Sequence, residues 1–289
     1  MDKNVSLRLA LQHAVAASLR PITEHLVYKT RSGIAAGLKR KGGLGFMPRQ
    51  VSEEERFFMR MTPGLKGKTV YDIGSYEGVF SAFFARAIGP EGTLVIFEPN
   101  PVCQSMTSTN LKLNGFQFHI EPVGLGRERA KMVLTYPGRE PARSTLDAEI
   151  AEMIDHEQHS GVRRTTVNIE RLDDMMKVRA FKAPDFMKID TEGAELDVVR
   201  GAEETIRKHH PAMYIEMHGA DMKQKMALQR DMHQLLHSWG YEIEDLTGHD
   251  VFDSETHVGH ILCTHPAVRS HIMYLGFAPR EDAMAKVRN

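Results

Sequence analysis

The sequence is poor in the residues and patterns that define several classes of protein. Two cysteines in 289 residues, Cys103 and Cys263, are too few for a disulfide framework or for a zinc site built from cysteines. No apolar run approaches the roughly 18 residues of a membrane span. The formal net charge of −1 lacks the basic excess that is typical of proteins that bind nucleic acids. We therefore predict a cytoplasmic protein in a reducing environment, without a nucleic-acid partner.

Charge is unevenly distributed, because the first 50 residues carry nine lysine and arginine residues against two acidic ones. The stretch VSLRLALQHAVAASL is predicted to form an amphipathic helix, since Arg8 interrupts the apolar run that a signal peptide would need. We assign residues 1–65 to an N-terminal helical, basic arm. Two interpretations stay open. The arm packs on the main domain as a solvated segment, or it contacts an anionic partner such as a membrane surface or a charged substrate.

From residue 66 onward, short apolar runs alternate with stretches whose apolar residues follow helical spacing. This alternation predicts parallel strands joined by crossover helices. Residues 241–246 and 259–264 have no helix between them, so they should pair antiparallel. Residues 66–289 are thus predicted to form one α/β domain, an open, mostly parallel sheet with helices on both faces and an antiparallel closing pair. The predicted parallel strands are residues 69–73, 93–97, 116–122, 186–189 and 213–215, and the predicted helices include residues 79–88, 101–114 and 192–208.

Residues 126–172 interrupt this alternation. Two predicted strands, residues 130–136 and 165–172, flank a polar stretch that contains Pro137 and Gly161. We interpret the whole segment as an insertion at the rim of the sheet, where loops that contact substrates usually lie.

The stretch VYDIGSYEGVFSAFFARAIGPEGTLVIFEPNP, residues 70–101, places two acids and two glycines at predicted strand ends. In an open parallel sheet, ligands bind outside the carboxyl ends of the strands. Gly74 and Gly78 let the backbone turn tightly and leave no Cβ to block a ligand. Glu98 follows Asp72 by 26 residues, at the tip of the next strand, where a carboxylate can accept hydrogen bonds from both hydroxyls of a ribose. The pattern predicts a ligand with a ribose and a compact group over the glycine turn.

A dinucleotide also contains a ribose, but the sequence lacks its fingerprint. The loop Gly74-Ser75-Tyr76-Glu77-Gly78 has no G-x-G core, and it places Glu77 where a pyrophosphate would approach. Asp72 suits a ligand with a cationic ammonium, which S-adenosylmethionine carries together with a sulfonium and a ribose. The alternative that the acids only cap helices requires both carboxylates and both glycines to coincide by chance.

Three stretches resemble the FkbM family of S-adenosylmethionine-dependent methyltransferases: VYDIGSYEG, FEPNP and DFMKIDTEGAELDVVRGAEETI. The similarity spans roughly residues 66–265. It implies the class I methyltransferase fold and the methylation of hydroxyl groups on sugars, glycolipids or secondary metabolites. Many members carry asparagine where this chain has Tyr76. The third stretch is the most specific, because it keeps the K-I-D-x-E-G-x-E order of the family at Lys188, Asp190, Glu192, Gly193 and Glu195.

The resemblance also implies which residues hold the cofactor, S-adenosylmethionine. They lie in the glycine loop, after the second strand, after the third strand and after the fourth. The implied cofactor-binding residues are Asp72, Gly74, Ser75 and Gly78 at the methionine part, Glu98, Pro99 and Asn100 at the ribose, Val123 and Gly124 at the adenine, and Asp190 at the amino acid head or the acceptor.

Three residues are candidates for catalysis. His218 lies at the predicted end of the fifth strand, and it could accept the proton of an acceptor hydroxyl if its pKa is near the unperturbed ~6.5. Asp190 and Glu192 are the other candidates, although either could instead be a structural partner of Lys188. No metal is predicted, and a divalent-ion site formed by Asp190, Glu216 and His218 is kept as a minor alternative.

These patterns together predict a methyltransferase that acts on an oxygen of a small-molecule, sugar or glycolipid acceptor. The alternatives are a cofactor-binding module of the same fold without turnover and an NAD-dependent oxidoreductase, which the glycine spacing disfavours. Methylation of nucleic-acid bases is disfavoured because the sequence has no N-P-P-Y type motif. The insertion and the basic arm are expected to select the acceptor, and the arm could make a peripheral membrane contact. The oligomeric state stays open.

Overall fold

The computed structural model describes residue 23 and residues 25–137, 144–157 and 161–268. The amphipathic helix predicted for residues 5–19 lies outside these residues. The strands are β1 Val27–Lys29, β2 Lys39–Lys41, β3 Thr69–Ile73, β4 Thr93–Phe97, β5 His119–Glu121, β6 Gly124–Leu125, β7 Ala130–Pro137, β8 Val162–Glu170, β9 Phe186–Ile189, β10 Ala212–Glu216, β11 Glu242–Glu244 and β12 His260–Thr264. The helices are α1 Glu53–Met61, α2 Val79–Ile88, α3 Pro101–Leu113, α4 Ala148–Glu157, α5 Leu172–Arg179, α6 Glu195–Gly201, α7 Glu203–His209 and α8 Met222–Ser238.

Seven of the described strands form the central sheet, in the order β11-β12-β10-β9-β3-β4-β5. From β5 to β10 the neighbouring strands are parallel, whereas β12 pairs antiparallel with β10 and with β11. The prediction of an open, mostly parallel sheet with an antiparallel closing pair is confirmed. The chain runs outward from β3 to β4 and β5 and then returns to β9 on the other side of β3. The strand order therefore reverses between β3 and β9, which is where ligands bind in such sheets.

Side chains that alternate along β3 contribute to two cores, one on each face of the sheet. Tyr71 packs in a core that also contains Met232 of α8. Val70 packs in the other core, with Phe58 of α1 and Phe84 of α2. Full burial of a large apolar side chain stabilises a fold by roughly 1.5–3 kcal/mol. Helices cover both faces, as predicted.

The single helix predicted over residues 192–208 is two helices, α6 and α7, which meet at Ala202. The start of a new helix leaves backbone N–H groups without partners inside that helix. The carboxylate of Asp173 in α5 accepts the N–H groups of Glu204 and Thr205 at 3.0 and 2.9 Å. The apolar spacing continues through the break, so periodicity alone could not reveal a cap that comes from another helix.

The segment predicted as an insertion contributes to a second, three-stranded sheet. β7 and β8 pair antiparallel along their length, and β6 joins β8 in parallel. Its own small apolar core includes Leu134 and Ile169. The strand predicted over residues 165–172 is Val162–Glu170, because its register with β7 begins earlier and the chain enters α5 at Leu172. Likewise, the strand predicted over residues 116–122 is shortened to His119–Glu121.

The described part of the arm packs on the domain. β1 and β2 form an antiparallel hairpin, and the N–H of Lys41 donates to Asn110 of α3 at 2.8 Å. Arg40, in the same hairpin, forms an ion pair with Glu77 of the glycine loop. The hairpin thus contacts the element that precedes α2.

A membrane-spanning helix needs both length and a sustained apolar stretch. None of the helices in the described part of the chain has both.

Candidate active site

A cavity lies at the carboxyl ends of β3, β4 and β9. Its wall combines strand ends, the glycine loop and the insertion. Six residues that the sequence analysis assigned to cofactor binding or catalysis line it: Gly74, Glu98, Pro99, Gly124, Asp190 and Glu192. The other lining residues are Ile73, Tyr76, Phe97, Cys103, Leu125, Leu134, Ser144, Leu146, Thr191 and Ala194.

The glycines of the loop are required by the packing of the protein itself. Gly74 has a φ of +85°, and a Cβ there would lie 1.8 Å from the backbone oxygen of Asp190. Gly78 has a φ of +75°, and a Cβ there would lie 2.9 Å from Cα of Thr107 in α3. The positive φ values fit the predicted tight turn, and the missing Cβ atoms have a further role within the protein. They let the loop approach β9 and α3, which fixes the floor of the cavity.

Tyr76 and Glu77 occupy the tip of this loop. Tyr76 lines the cavity with a φ of 49°, a left-handed conformation that asparagine adopts more readily than an aromatic residue. Glu77 has a side chain that is only 2% exposed and is paired with Arg40. The expectation that Glu77 would face and repel a pyrophosphate is therefore wrong, because the arm neutralises this carboxylate inside the protein.

Glu98, at the end of β4, fastens the loop to the sheet. Its Oε2 accepts the N–H groups of Ser75 and Tyr76 at 3.0 and 3.1 Å, and its Oε1 accepts the N–H of Asn100 at 2.9 Å. Burial raises the pKa of Glu98 to about 7, although these backbone donors act in the opposite direction. A carboxylate offers about four acceptor positions, so Oε1 keeps capacity for a ligand in the cavity.

Asp72 lies beneath the cavity and is not one of the described residues that line it. Its side chain is completely buried in β3, where Ser81 of α2 donates to Oδ2 and Nζ of Lys188 lies 3.9 Å from Oδ1. Burial raises the pKa of Asp72 to about 6, against the effects of Lys188 and Ser81. The carboxylate of Asp72 does not face the cavity, so its predicted contact with the ammonium group of the cofactor would require this side chain to move.

Three further residues predicted to bind the cofactor support the cavity wall from behind. The hydroxyl of Ser75 lies 3.3 Å from Oε2 of Glu98. Asn100 caps α3 and donates its amide to Ser144 of the insertion at 2.8 Å. Val123 packs against the core of the sheet. These residues position the lining rather than form it.

Lys188, which is buried, and Asp190, which is partly exposed, form an ion pair at the floor of the cavity. Nζ of Lys188 donates to Oδ2 of Asp190 at 2.8 Å and to the carbonyl oxygen of Gly74 at 3.3 Å. Burial lowers the pKa of Lys188, but Asp190 and Asp72 outweigh it, so the net shift is upward. Asp190 is thus a structural partner of Lys188, and it also faces the cavity.

His218, after the end of β10, is surrounded by carboxylates. Its Nδ1 donates to Oε1 of Glu195 at 3.0 Å, and its Nε2 lies 3.5 Å from Glu216 and 3.7 Å from Glu192. Burial lowers the pKa of His218, but Glu195, Glu216 and Glu192 outweigh burial and raise the pKa to about 11. His218 therefore carries a proton at neutral pH, and the expectation of an unperturbed imidazole is wrong.

Glu192 joins the cavity to His218. It adopts a φ of 54°, and its backbone oxygen accepts a hydrogen bond from Thr145 of the insertion at 2.7 Å. Burial raises the pKa of Glu192 to about 7, with His218 acting in the opposite direction. The insertion therefore holds the turn that presents Glu192.

The role of Glu195 was not predicted, although the residue belongs to the motif that carries the resemblance. Oε1 of Glu195 accepts the N–H groups of Thr191 and Gly193 as well as that of His218. The motif placed the acid in the chain but did not indicate that it contacts the end of the neighbouring strand.

A second group, Glu54, Tyr214 and His260, was also missed. The hydroxyl of Tyr214 lies 2.6 Å from Glu54 and 2.7 Å from Nδ1 of His260. His260 lies in one of the predicted closing strands, and the antiparallel register pairs it with Glu216. The position of this one member of the group in the sheet could therefore be predicted. Glu54 comes from the arm, and no pattern of residues there indicates this contact.

The protein is an α/β protein with a candidate ligand cavity at the point where its strand order reverses. The loop after β3 and the carboxylate after β4 lie at this cavity. Residues 72–243 match the model of the methyltransferase FkbM domain family. This match covers more than half of the chain, and the chain belongs to that family. The resemblance noted in the sequence is confirmed, and with it the class I methyltransferase fold.

Two relatives of known description are similar to this chain. Methyltransferase 1 of Beauveria bassiana (strain ARSEF 2860) is 33% identical over 148 residues, which is 47% of this chain and 58% of that protein. Methyltransferase sdnD of Sordaria araneosa is 29% identical over 157 residues, which is 47% of this chain and 60% of that protein. The chain thus spans about three fifths of the length of these relatives.

The solved structures that are similar to this chain include two methyltransferases, both with TM-scores below 0.5. The methyltransferase FkbM from Methylobacillus flagellatus KT has a TM-score of 0.43 and 17% identity, over 68% of this chain and 43% of that one. The O-methyltransferase from Bacillus cereus in complex with SAH has a TM-score of 0.42 and 12% identity, over 76% of this chain and 84% of that one.

Proposed function

We propose that this chain binds S-adenosylmethionine in the cavity and transfers its methyl group to a hydroxyl oxygen of a small-molecule, sugar or glycolipid acceptor. The observation that carries the proposal is the placement of Glu98 and of the Asp190–Glu192 turn on the wall of one cavity. Such a reaction requires, in one place, a hydrogen-bond acceptor for the ribose of the cofactor and a group of acid–base side chains. Membership in the FkbM family supports the reaction class.

The side chains of the cavity fit the parts of this cofactor. Glu98 has acceptor capacity for a ribose hydroxyl, and Asp190 presents a carboxylate to an ammonium group. Phe97, Leu125 and Leu134 give the cavity an apolar side that suits a purine ring. The lining of the cavity therefore combines one apolar side with two separate carboxylates.

The cofactor supplies a methyl group on a positively charged sulfur, so the protein has to position the acceptor and handle its proton. Asp190 and Glu192 are carboxylates on the cavity wall, within reach of an acceptor hydroxyl. His218 stands behind Glu192, at 3.7 Å. We assign to Asp190 and Glu192 the task of holding the hydroxyl and receiving its proton, which general acid–base groups accelerate by about 10²–10⁴-fold. The protonated His218 holds Glu192 in place.

The insertion is proposed to select the acceptor and to exclude water. Leu134, Ser144 and Leu146 contribute to the cavity wall, and Thr145 between them anchors Glu192. A bound acceptor would therefore contact the insertion on one side and the Asp190–Glu192 turn on the other.

The proposal is tested by incubating the protein with S-adenosylmethionine that carries a deuterated methyl group, together with a metabolite extract of the source cell. Mass spectrometry and NMR then locate the label in the products. We expect a labelled methyl ether that is lost in the Glu98→Ala protein. A label on nitrogen or carbon would contradict the choice of a hydroxyl. Cofactor binding without any labelled product would identify a binding module instead of an enzyme.

A further inference from the structure

Two side chains at the edge of the cavity, Glu192 and His218, have no part in the proposed cofactor binding, and Asp190 lies beside them. Asp190, Glu192 and His218 each offer one potential ligand atom, and these atoms lie within 4.8 Å of one another. We propose that this group binds a divalent cation. Carboxylate oxygen and imidazole nitrogen are suitable ligands for ions such as Mn²⁺ and Zn²⁺.

The distances around Nε2 of His218 suit ligands that share an ion better than partners in a hydrogen bond. Nε2 lies 3.7 Å from Oε2 of Glu192 and 3.5 Å from Oε1 of Glu216. A charge-assisted N–H···O bond measures about 2.7–2.9 Å. Two ligands at about 2.1 Å from a tetrahedral ion are about 3.4 Å apart. Both separations therefore leave the space that an ion between the ligands would need.

The other nitrogen of His218 is already fixed. Nδ1 donates to Oε1 of Glu195, whose side chain is 2% exposed and also receives the N–H groups of Thr191 and Gly193. Histidines that bind metals commonly donate their second ring N–H to a carboxylate in this way, which fixes the tautomer and the orientation of the ring. The arrangement turns Nε2 toward Glu192 and Glu216, and an ion that binds there takes the place of the proton that Nε2 otherwise carries.

The balance of charge around His218 also favours a cation. Lys188 occupies Oδ2 of Asp190 at 2.8 Å, which leaves Oδ1 of Asp190 for another partner. Four carboxylates converge on this region, and the basic groups near them in the described part of the chain are Lys188, His218 and, beside Glu216, His260. The four carboxylates are those of Asp190, Glu192, Glu195 and Glu216.

A neighbouring group has similar spacing but is less suited to an ion. Glu54, Glu216 and His260 also bring ligand atoms within 4.8 Å of one another. The hydroxyl of Tyr214, however, already engages Glu54 at 2.6 Å and Nδ1 of His260 at 2.7 Å. We therefore place the cation at Asp190, Glu192 and His218, two of which line the cavity.

The position of this cation site gives it a role that rests on the proposed function. A divalent ion beside Asp190 and Glu192 would hold an oxygen atom of the acceptor at the edge of the cavity. Glu98, at the ribose side, is not part of the site, so cation binding and cofactor binding can be measured separately.

The experiment measures Mn²⁺ binding to the full chain by electron paramagnetic resonance, after treatment with EDTA and dialysis. We expect saturable binding that Glu192→Gln and His218→Ala each weaken by at least about tenfold, with Glu195→Gln weakening it by about 10–100-fold. Glu54→Gln makes the same chemical change in the neighbouring group and should keep the wild-type affinity. Thermal unfolding of each variant checks that it is folded.

The proposal is overturned if the wild-type protein does not bind Mn²⁺, or if folded Glu192→Gln and His218→Ala proteins bind it as the wild type does. Loss of binding in Glu54→Gln alone would also overturn it, because the ion would then occupy the neighbouring group. Titration with S-adenosylhomocysteine on the same samples separates this inference from the proposed function. Cofactor binding without Mn²⁺ binding rejects only the cation, whereas Mn²⁺ binding without cofactor binding or methyl transfer rejects only the proposed reaction.

Discussion

At the scale of single residues, Glu98 connects the architecture of the site to its ligand. One carboxylate fastens the glycine loop through the N–H groups of Ser75 and Tyr76 and also faces the cavity. Its ionisation state therefore affects both the loop and the ligand. Because burial raises its pKa to about 7, this state changes within the physiological pH range.

We expect the affinity for S-adenosylhomocysteine to rise as the pH increases through about 7 and then to level off. The ionised carboxylate is the better acceptor for a ribose hydroxyl, so binding favours the ionised form and weakens where the free protein holds the proton. Calorimetric titrations at pH values below, near and above 7 measure the effect. The Glu98→Gln protein, which cannot titrate there, should lose this part of the slope; an unchanged slope would assign it to another group.

The sequence could indicate that Glu98 and Asp190 lie at the cavity, because each follows a short apolar run and so marks the end of a strand. It could not indicate the partners of Asp72 or Glu77. Lys188 and Arg40 reach these acids from distant parts of the chain, and a pattern of residue types does not show which opposite charges meet. Burial is equally hidden, so the raised pKa values of the site were not predictable.

At the scale of elements, the loop between β3 and α2 depends on one close approach. A Cβ on Gly74 would lie 1.8 Å from the backbone oxygen of Asp190, so the residue cannot be enlarged without moving the end of β9. The element that carries the candidate catalytic carboxylates is thus held at a fixed distance from the loop.

Gly74→Ala is expected to lower the free energy of unfolding by at least about 1–3 kcal/mol and to weaken cofactor binding, because both φ and the clash oppose alanine. Gly37→Ala is the matched control, since Gly37 has a φ of +83° and no atom within 4 Å of the added Cβ. Urea unfolding of both variants separates the two causes. An equal loss in both would mean that the contact with Asp190 contributes nothing.

The strands of the sheet were predictable because each is a short apolar run bounded by turn residues, and five parallel strands share this signature. The break between α6 and α7 was not, because its cap is Asp173 of α5. The second sheet could be predicted only in part. β7 and β8 have strand-like sequences, but the parallel pairing with the two residues of β6 is a tertiary contact.

At the scale of the whole molecule, the arm and the domain are joined by charge as well as by packing. Ile34 of the arm is fully buried in the core with Phe84, and Arg40 pairs with Glu77. The described part of the arm therefore packs on the main domain, as the first of the two interpretations has it, and it also supports the glycine loop from outside.

Arg40→Ala is expected to destabilise the protein by about 3–5 kcal/mol, because it leaves the charge of Glu77 buried without this partner. Arg31→Ala, at an exposed position of the same arm, should cost less than about 0.5 kcal/mol. The double variant Arg40→Ala with Glu77→Gln should recover part of the loss. Chemical denaturation measures all three, and a similar stability of the two arginine variants would contradict the role of the pair.

The central claim is that the cavity binds S-adenosylmethionine rather than a dinucleotide, and calorimetry with S-adenosylhomocysteine and NAD side by side tests it most directly. We predict saturable binding of S-adenosylhomocysteine and no comparable binding of NAD. Glu98→Ala should weaken the former by about 1.5–3 kcal/mol, which corresponds to roughly 10–150-fold, because a charged acceptor of ribose hydroxyls is lost. Preferential binding of NAD, or unchanged affinity of a folded Glu98→Ala protein for S-adenosylhomocysteine, would contradict the account.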